Sequence, residues 1–292
     1  MKRRKPELAL KAGADLAEGP WWDVRNQELL WVDIFAGEIH RFNPSDGSDS
    51  SMNVGQPVGM TAARKSGGLV CAVRDGIGLI EPGGTVMSLA AEIEKSRTQN
   101  RMNDGACDPM GRLWAGTMAT DLSAGEGALY RISAGFAAHR AIAGVSISNG
   151  LDWSPDGRTF YFIDSPKCRI DAYDFDRDSG EIGNGRILAQ IPHPAATPDG
   201  MAVDSEGTLW VAMWDGAGIH RYSPDGRLLE TIDMPVSRVT SVAFGGSGMD
   251  QLFITTARHG LSPQQMASEP LAGSILALDV GVAGLPPYEF AG

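Results

Sequence analysis

Short apolar runs recur along this chain, each flanked by Gly, Pro, Asp or Asn and each too short for a packed helix. They read ELLWVD at 28–33, GLVCAV at 68–73, RLWAGT at 112–117, TFYFID at 159–164, TLWVAM at 208–213 and QLFITT at 251–256. With Leu30, Leu69, Leu113, Phe160, Leu209 and Leu252 as equivalent positions, successive spacings are 39, 44, 47, 49 and 43 residues. Loops of unequal length between like units account for that spread.

A second run follows each of these after a polar or glycine-rich turn, as in GEIHRF at 37–42, GALYRI at 127–132 and GIHRY at 218–222. Another apolar segment precedes it, such as MTAA at 60–63, LDW at 151–153 or MAV at 201–203. Three strands per unit are thus visible, and the spacing leaves room for a fourth. Six small antiparallel sheets of this kind cannot bury their faces alone, and stacking them radially covers those faces. The chain is therefore expected to be all-β, a six-bladed β-propeller forming one domain over 1–292. Leu8-Ala9-Leu10 is expected to pair into the last blade and close the ring, removing an exposed edge.

Composition narrows the function. A net charge of −11 and a pI near 4.9 leave no basic excess for a phosphate backbone, so nucleic acid is not expected as a partner. The basic start Met1-Lys2-Arg3-Arg4-Lys5 leads into Pro6-Glu7 and Lys11 rather than an apolar stretch, so neither an export signal nor a membrane span is expected. Cys71, Cys107 and Cys168 are odd in number and lie in or beside apolar runs, which suits reduced residues of a cytoplasmic protein.

Polar residues repeat in one further register. Some nine to twelve residues before each of the six leucine or phenylalanine positions stand Glu18-Gly19-Pro20, Val58-Gly59-Met60, Asn103-Asp104-Gly105, Ser148-Asn149-Gly150, Asp199-Gly200-Met201 and Thr240-Ser241-Val242. In a propeller, loops entering the innermost strands converge on the axis, so these residues are expected to meet. Arg101, Asn103 and Asp104 are expected to arrive together on one such loop. Asp-Gly pairs elsewhere, such as Asp46-Gly47 and Asp225-Gly226, read as ordinary hairpin turns.

Two carboxylates and an amide, Glu18, Asp199 and Asn149, without His or Cys in register, suit a hard divalent cation such as Ca²⁺, Mg²⁺ or Mn²⁺. A cation with an open position can activate a carbonyl or a water, which makes hydrolysis chemically reasonable. The histidines add little. His40 and His220 lie in equivalent strand segments, His139 and His259 show no partner, and only His193 is near Asp199 in sequence. Trp31, Trp114, Trp210 and Trp214 fall on the repeated strands, where packing between blades is expected.

Four ordered motifs, LAEGPWW at 16–22, RMNDGACDPMGRLWAGTM at 101–118, SNGLDWSPDGRTFYFIDS at 148–165 and PDGMAVDSEGTLW at 198–210, resemble the SMP-30/gluconolactonase/regucalcin family. The likeness runs from about residue 8 to about residue 280. It implies a divalent cation in the axial channel of a six-bladed propeller and hydrolysis of sugar lactones to aldonic acids. It also implies that Glu18, Asn149 and Asp199 ligate the metal, with Asp199 matching the proposed general base. Arg101 and Asn103 would bind the sugar, and Asp121, in a looser part of the match, would line its pocket. The identity of the cation, among Ca, Mg, Mn, Zn and Fe, stays open. So do two other readings, a phosphotriester or aryl-ester hydrolase at the same metal and a non-catalytic calcium-binding propeller. A small sugar lactone is the expected partner, and a monomer or weak oligomer the expected state.

Overall fold

A computed structural model describes residues 5–191 and 196–292. Its strands form six four-stranded antiparallel sheets. Five are simple meanders, beginning with Ala17–Asp23, Glu28–Asp33, Glu38–Asn43 and Ser48–Asn53 in blade 1. The sixth contains Val239–Gly245, Gln251–Thr256 and Ile275–Asp279, with the N-terminal Glu7–Leu10 as its outermost strand. The ring is thus closed by the segment expected to do so, with Leu8 opposite Leu276. Each repeated apolar run is the second strand of a blade.

First strands of neighbouring blades pack against each other around the axis. They are Ala17–Asp23, Val58–Ala63, Asn100–Cys107, Ser148–Trp153, Thr197–Val203 and Val239–Gly245. The core lies between the blades, where Trp22, Trp31, Trp114 and Trp210 are fully buried. Repeated turns help to fix these side chains. Asp108 and Asp204 each accept backbone N–H groups from their own turn and an indole N–H, from Trp114 at 3.1 Å and Trp210 at 2.9 Å. Hydrogen bonds to a charged acceptor contribute about 1.5–3 kcal/mol each. Trp214 departs from the expected packing role: it is only half-buried, because its strand ends where the blade meets the axial cavity.

One expectation is corrected. Arg101, Asn103 and Asp104 do not lie on an entry loop; they are part of the first strand of blade 3, Asn100–Cys107. Every first strand is irregular at this level, with its pairing register shifting between Glu18 and Trp21, Val58 and Met60, Met102 and Gly105, Asn149 and Leu151, Pro198 and Met201, and Val239 and Ser241. A bulge breaks strict alternation and re-aims side chains. Polar residues in apparent strand sequence can therefore face the axis together.

Beyond the last blade, residues 281–292 cross the far end of the ring. Ala283 O accepts from Ser205 N, Gly284 N donates to Met249 O, and Phe290 exchanges backbone bonds with Ala63 and Lys65. Arg64 and Ser66 donate to Gly292 O, Glu289 pairs with Arg25, and Phe290 is fully buried against Phe136 at 5.6 Å. Among the described residues, helix is limited to Pro263–Ser268 and a 3₁₀ turn at Ser165–Lys167. Among the described residues, no helix is long and apolar enough to cross a membrane.

Candidate active site

Glu18 and Asn149 are positioned by the same device in two blades. Asp33, at the end of the second strand of blade 1, accepts from Asp15 N at 2.9 Å and Leu16 N at 3.2 Å. Asp164 does the same in blade 4, accepting from Ser146 N at 3.2 Å and Ile147 N at 3.0 Å. Each clamp fixes the chain two residues before the functional side chain. The glycine after that side chain then lets the first strands close on the axis. A Cβ at Gly150 would come within 2.6 Å of Asp199 O, and one at Gly19, whose φ is 51°, within 3.1 Å of Gly59 O, so neither position suits a side chain.

These strands enclose a cavity of about 300 Å³ at one end of the axis, lined by Glu18, Arg101, Asn103, Asn149 and Asp199 together. Five residues expected at the site are therefore juxtaposed. Asp121 is not among the lining residues: it is exposed and accepts from Ser123 N, while its neighbours Thr120 and Leu122 line the wall. His193 lies outside the described residues. Asp104 separates from Asn103 across the bulge and lines a second cavity of about 120 Å³ nearer the far end, with Asp152 and the tail residues Leu285, Pro286, Pro287 and Tyr288.

The floor of the first cavity is a linked network. Arg101 Nη1 donates to Met102 O at 2.9 Å and Asn103 Oδ1 at 2.7 Å. Asn103 Nδ2 donates to Ser148 O at 2.8 Å and Asn149 Oδ1 at 3.1 Å, and Asn149 Nδ2 donates to Ser165 Oγ at 2.8 Å. Arg101 also lies 5.5 Å from the Phe35 ring centroid. Glu18 Oε2 accepts only the weak local bond from Gly19 N at 3.2 Å, and Asp199 Oδ1 is buried without a hydrogen-bond partner among the described residues.

Burial and like charge dominate the electrostatics. Burial, followed by the Asp104 carboxylate, pushes Glu18 up to about 8 against the opposing effects of Gly19 N–H and Arg101. Asp199 is raised well above the usual carboxylate range by burial and then by Glu18 and Asp104, with Arg101 opposing. Burial alone raises Asp104 to about 7, and it lowers Arg101 to about 10 despite the attraction of Glu18 and Asp199. Fully ionised, Glu18 and Asp199 against Arg101 leave one net negative charge in this cavity, and Asp104 adds another from the neighbouring one. Such charge is tolerated only if protons or a cation neutralise it.

This donor set fits a divalent cation. Glu18 and Asp199 supply carboxylate oxygens, one of them unpartnered, and Asn149 Oδ1 retains a second lone pair beside its bond from Asn103. No three His, Cys, Asp or Glu side chains cluster closely enough to hold a metal among the described residues, so a set built on Glu18 and Asp199 would draw its remaining donors from groups such as the Asn149 amide or water.

Sequence reasoning missed the upper wall. His259 has a partner, its Nδ1 lying 3.0 Å from Asp15 Oδ2, and its ring lies 4.7 Å from Phe35. Phe35, Trp214 and His259 all line the cavity from the ends of blades 1, 5 and 6. Only their shared position at or just beyond the end of a repeated second strand signals this, and that signal carries no chemistry of its own.

A six-bladed propeller with a polar axial pocket defines the structural class. The SMP-30/gluconolactonase/LRE-like region matches residues 16–258, and the chain belongs to that family. It is 38% identical to the 6-deoxy-6-sulfogluconolactonase of Pseudomonas putida over 278 residues, covering 95% of each chain. Regucalcin of Gallus gallus is 36% identical over 284 residues, again covering 95% of each. In structure the chain matches a calcium-binding regucalcin of Agrobacterium tumefaciens with a TM-score of 0.96 and 27% identity, covering 99% of this chain and 98% of the other.

Proposed function

We propose that this protein is a divalent-metal-dependent lactonase that opens a sugar lactone to its aldonic acid. The observation that carries the reading is the unpartnered, buried Asp199 Oδ1 in the same cavity as Glu18, Arg101 and the Asn103–Asn149 amide pair. A purely structural ion would not require a guanidinium beside it. The gluconolactonase family and the 6-deoxy-6-sulfogluconolactonase relative support lactone hydrolysis, and the calcium-binding regucalcin neighbour supports a divalent cation.

Glu18, Asn149 and Asp199 would hold the cation. When bound, it supplies a positive charge that polarises the lactone carbonyl. Asp199 takes a proton from the attacking water at a carboxylate oxygen as water oxygen bonds to the carbonyl carbon. The ring C–O bond then breaks, and the same carboxyl returns the proton to the departing alkoxide, leaving a hydroxy acid. Arg101 donates to substrate oxygens from its fixed plane, while its bond to Asn103 Oδ1 holds that plane in place. With the cation bound, Glu18 would be held ionised and would oppose its loss, whereas burial and Asp104 raise its carboxyl to about 8 without one.

Acid release from a panel of five- and six-carbon sugar lactones, before and after chelation and with single metals restored, tests the proposal. Metal-restored turnover is expected. Absence of turnover on every lactone with every metal would remove the reading.

A further inference from the structure

Resting on the lactonase reading, we infer that the preferred substrate is a deoxygenated sugar lactone. Its hydroxyl-bearing edge faces Arg101 and an apolar group, such as methyl in place of hydroxymethyl, faces Phe35 and Leu122.

The wall above the polar floor is apolar. Leu16, Phe35, Met118, Leu122, Ile147 and Trp214 contribute to it. Two of these are exposed at the mouth although large, Phe35 by 44% and Leu122 by 62%. They come from loops of blades 1 and 3, so their meeting at one cavity is a product of the ring and not of local sequence. Leu122 also holds a left-handed backbone, φ 62°, a conformation unfavourable for leucine and better suited to Asn or Gly. An exposed apolar side chain in such a conformation at a pocket mouth points to contact with a ligand.

Two of the polar groups on this wall are turned to protein partners. Thr120 Oγ1 donates to Gln99 O at 2.9 Å, and His259 uses Nδ1 on Asp15. On the floor, both amides donate within the protein, as described above. A lactone whose exocyclic carbon lies between Phe35 and Leu122 would place a hydroxyl on that carbon against apolar side chains. An apolar pocket rejects an added hydroxyl by about 100-fold at most. Arg101 is the guanidinium lining the cavity and lies on its floor, so a sulfonate on the same carbon would face the apolar side chains of the mouth, with the His259 ring as the polar group beside Phe35.

The test compares kcat/KM for a 6-deoxy-hexonolactone, its hydroxymethyl parent and the 6-sulfonated analogue, in the metal-loaded full chain and in Leu122→Asn. Calorimetric binding of the corresponding lactams reads the same preference without turnover. The wild type is expected to favour the deoxy compound by roughly 10- to 100-fold in both assays. Leu122→Asn is expected to bring that ratio toward one, mainly through loss on the deoxy substrate. Preference for the hydroxymethyl or sulfonated compound, or an unchanged ratio in Leu122→Asn, overturns the inference. Deoxy-lactam preference with no lactone turnover would support the pocket assignment while removing the lactonase reading.

Discussion

Asn103 Nδ2 donates to Asn149 Oδ1 at 3.1 Å, joining the first strands of blades 3 and 4 by an amide-to-amide hydrogen bond. The bond orients the oxygen that would face a cation and uses only one of its lone pairs. Partners of this kind typically account for about 10- to 100-fold in metal affinity. Asn103→Ala is expected to weaken divalent-cation binding by that factor, measured by calorimetric titration. Unchanged affinity would leave Asn103 with a substrate role alone.

Asp199 combines an unpartnered oxygen with two neighbouring carboxylates. Replacing it by Asn removes a buried charge and the proposed base together. Turnover is expected to fall by about 10²- to 10⁴-fold. The chelated Asp199→Asn protein is expected to melt higher than chelated wild type, with a smaller rise on adding metal. A lower melting temperature without metal would show that the carboxylate has a partner here.

The raised carboxylates set the pH dependence of the metal-free protein. Asp104 has an ordinary value of 3.8 and a folded value of about 7, and Glu18 moves from 4.5 to about 8. The folded state therefore binds more protons than the unfolded state between these values. Stability from this source is complete below about pH 4 and is lost as pH rises through 7 to 8. Melting temperatures of chelated protein are expected to fall across that window, less steeply in Asp104→Asn and hardly at all with saturating cation. A flat profile in chelated wild type would contradict the shifts.

Phe290 is fully buried at the end of the tail, far in sequence from the residues it covers. Phe290→Ala is expected to cost about 3–5 kcal/mol. Denaturant unfolding measures this, and kcat on any accepted lactone is expected to stay within twofold because the tail touches only the far cavity. A loss under 1 kcal/mol would mean that the tail contributes little to the fold.

The repeated strands were legible because each is a short apolar run with the same flanks, and Leu30 and Leu252 fall in equivalent second strands although 222 positions apart. Glu18, Asn149 and Asp199 were legible as a shared register, since a ring converts equal phase into spatial proximity. The bulges were not. Asn103 and Asp104 read as residues of one loop ahead of a strand, whereas both lie within Asn100–Cys107, and the bulge between Met102 and Gly105 leaves them lining different cavities. Nor was the Asp33 clamp visible, because a carboxylate ending an apolar run looks like any strand terminus. Phe35, Leu122 and His259 meet only through the curvature of the ring, which no local pattern encodes.

Stacked repeats ordinarily feel only their immediate neighbours. In this ring the tail that leaves blade 6 also touches blade 5 at Ser205, blade 2 at Lys65 and blade 3 at Gly111. With Glu7–Leu10 sewn into blade 6, both chain ends act as fasteners in places where a linear array would fray. A loosening that begins in this tail therefore spreads to blades on the opposite side, and the molecule is coupled across its diameter as well as around its circumference.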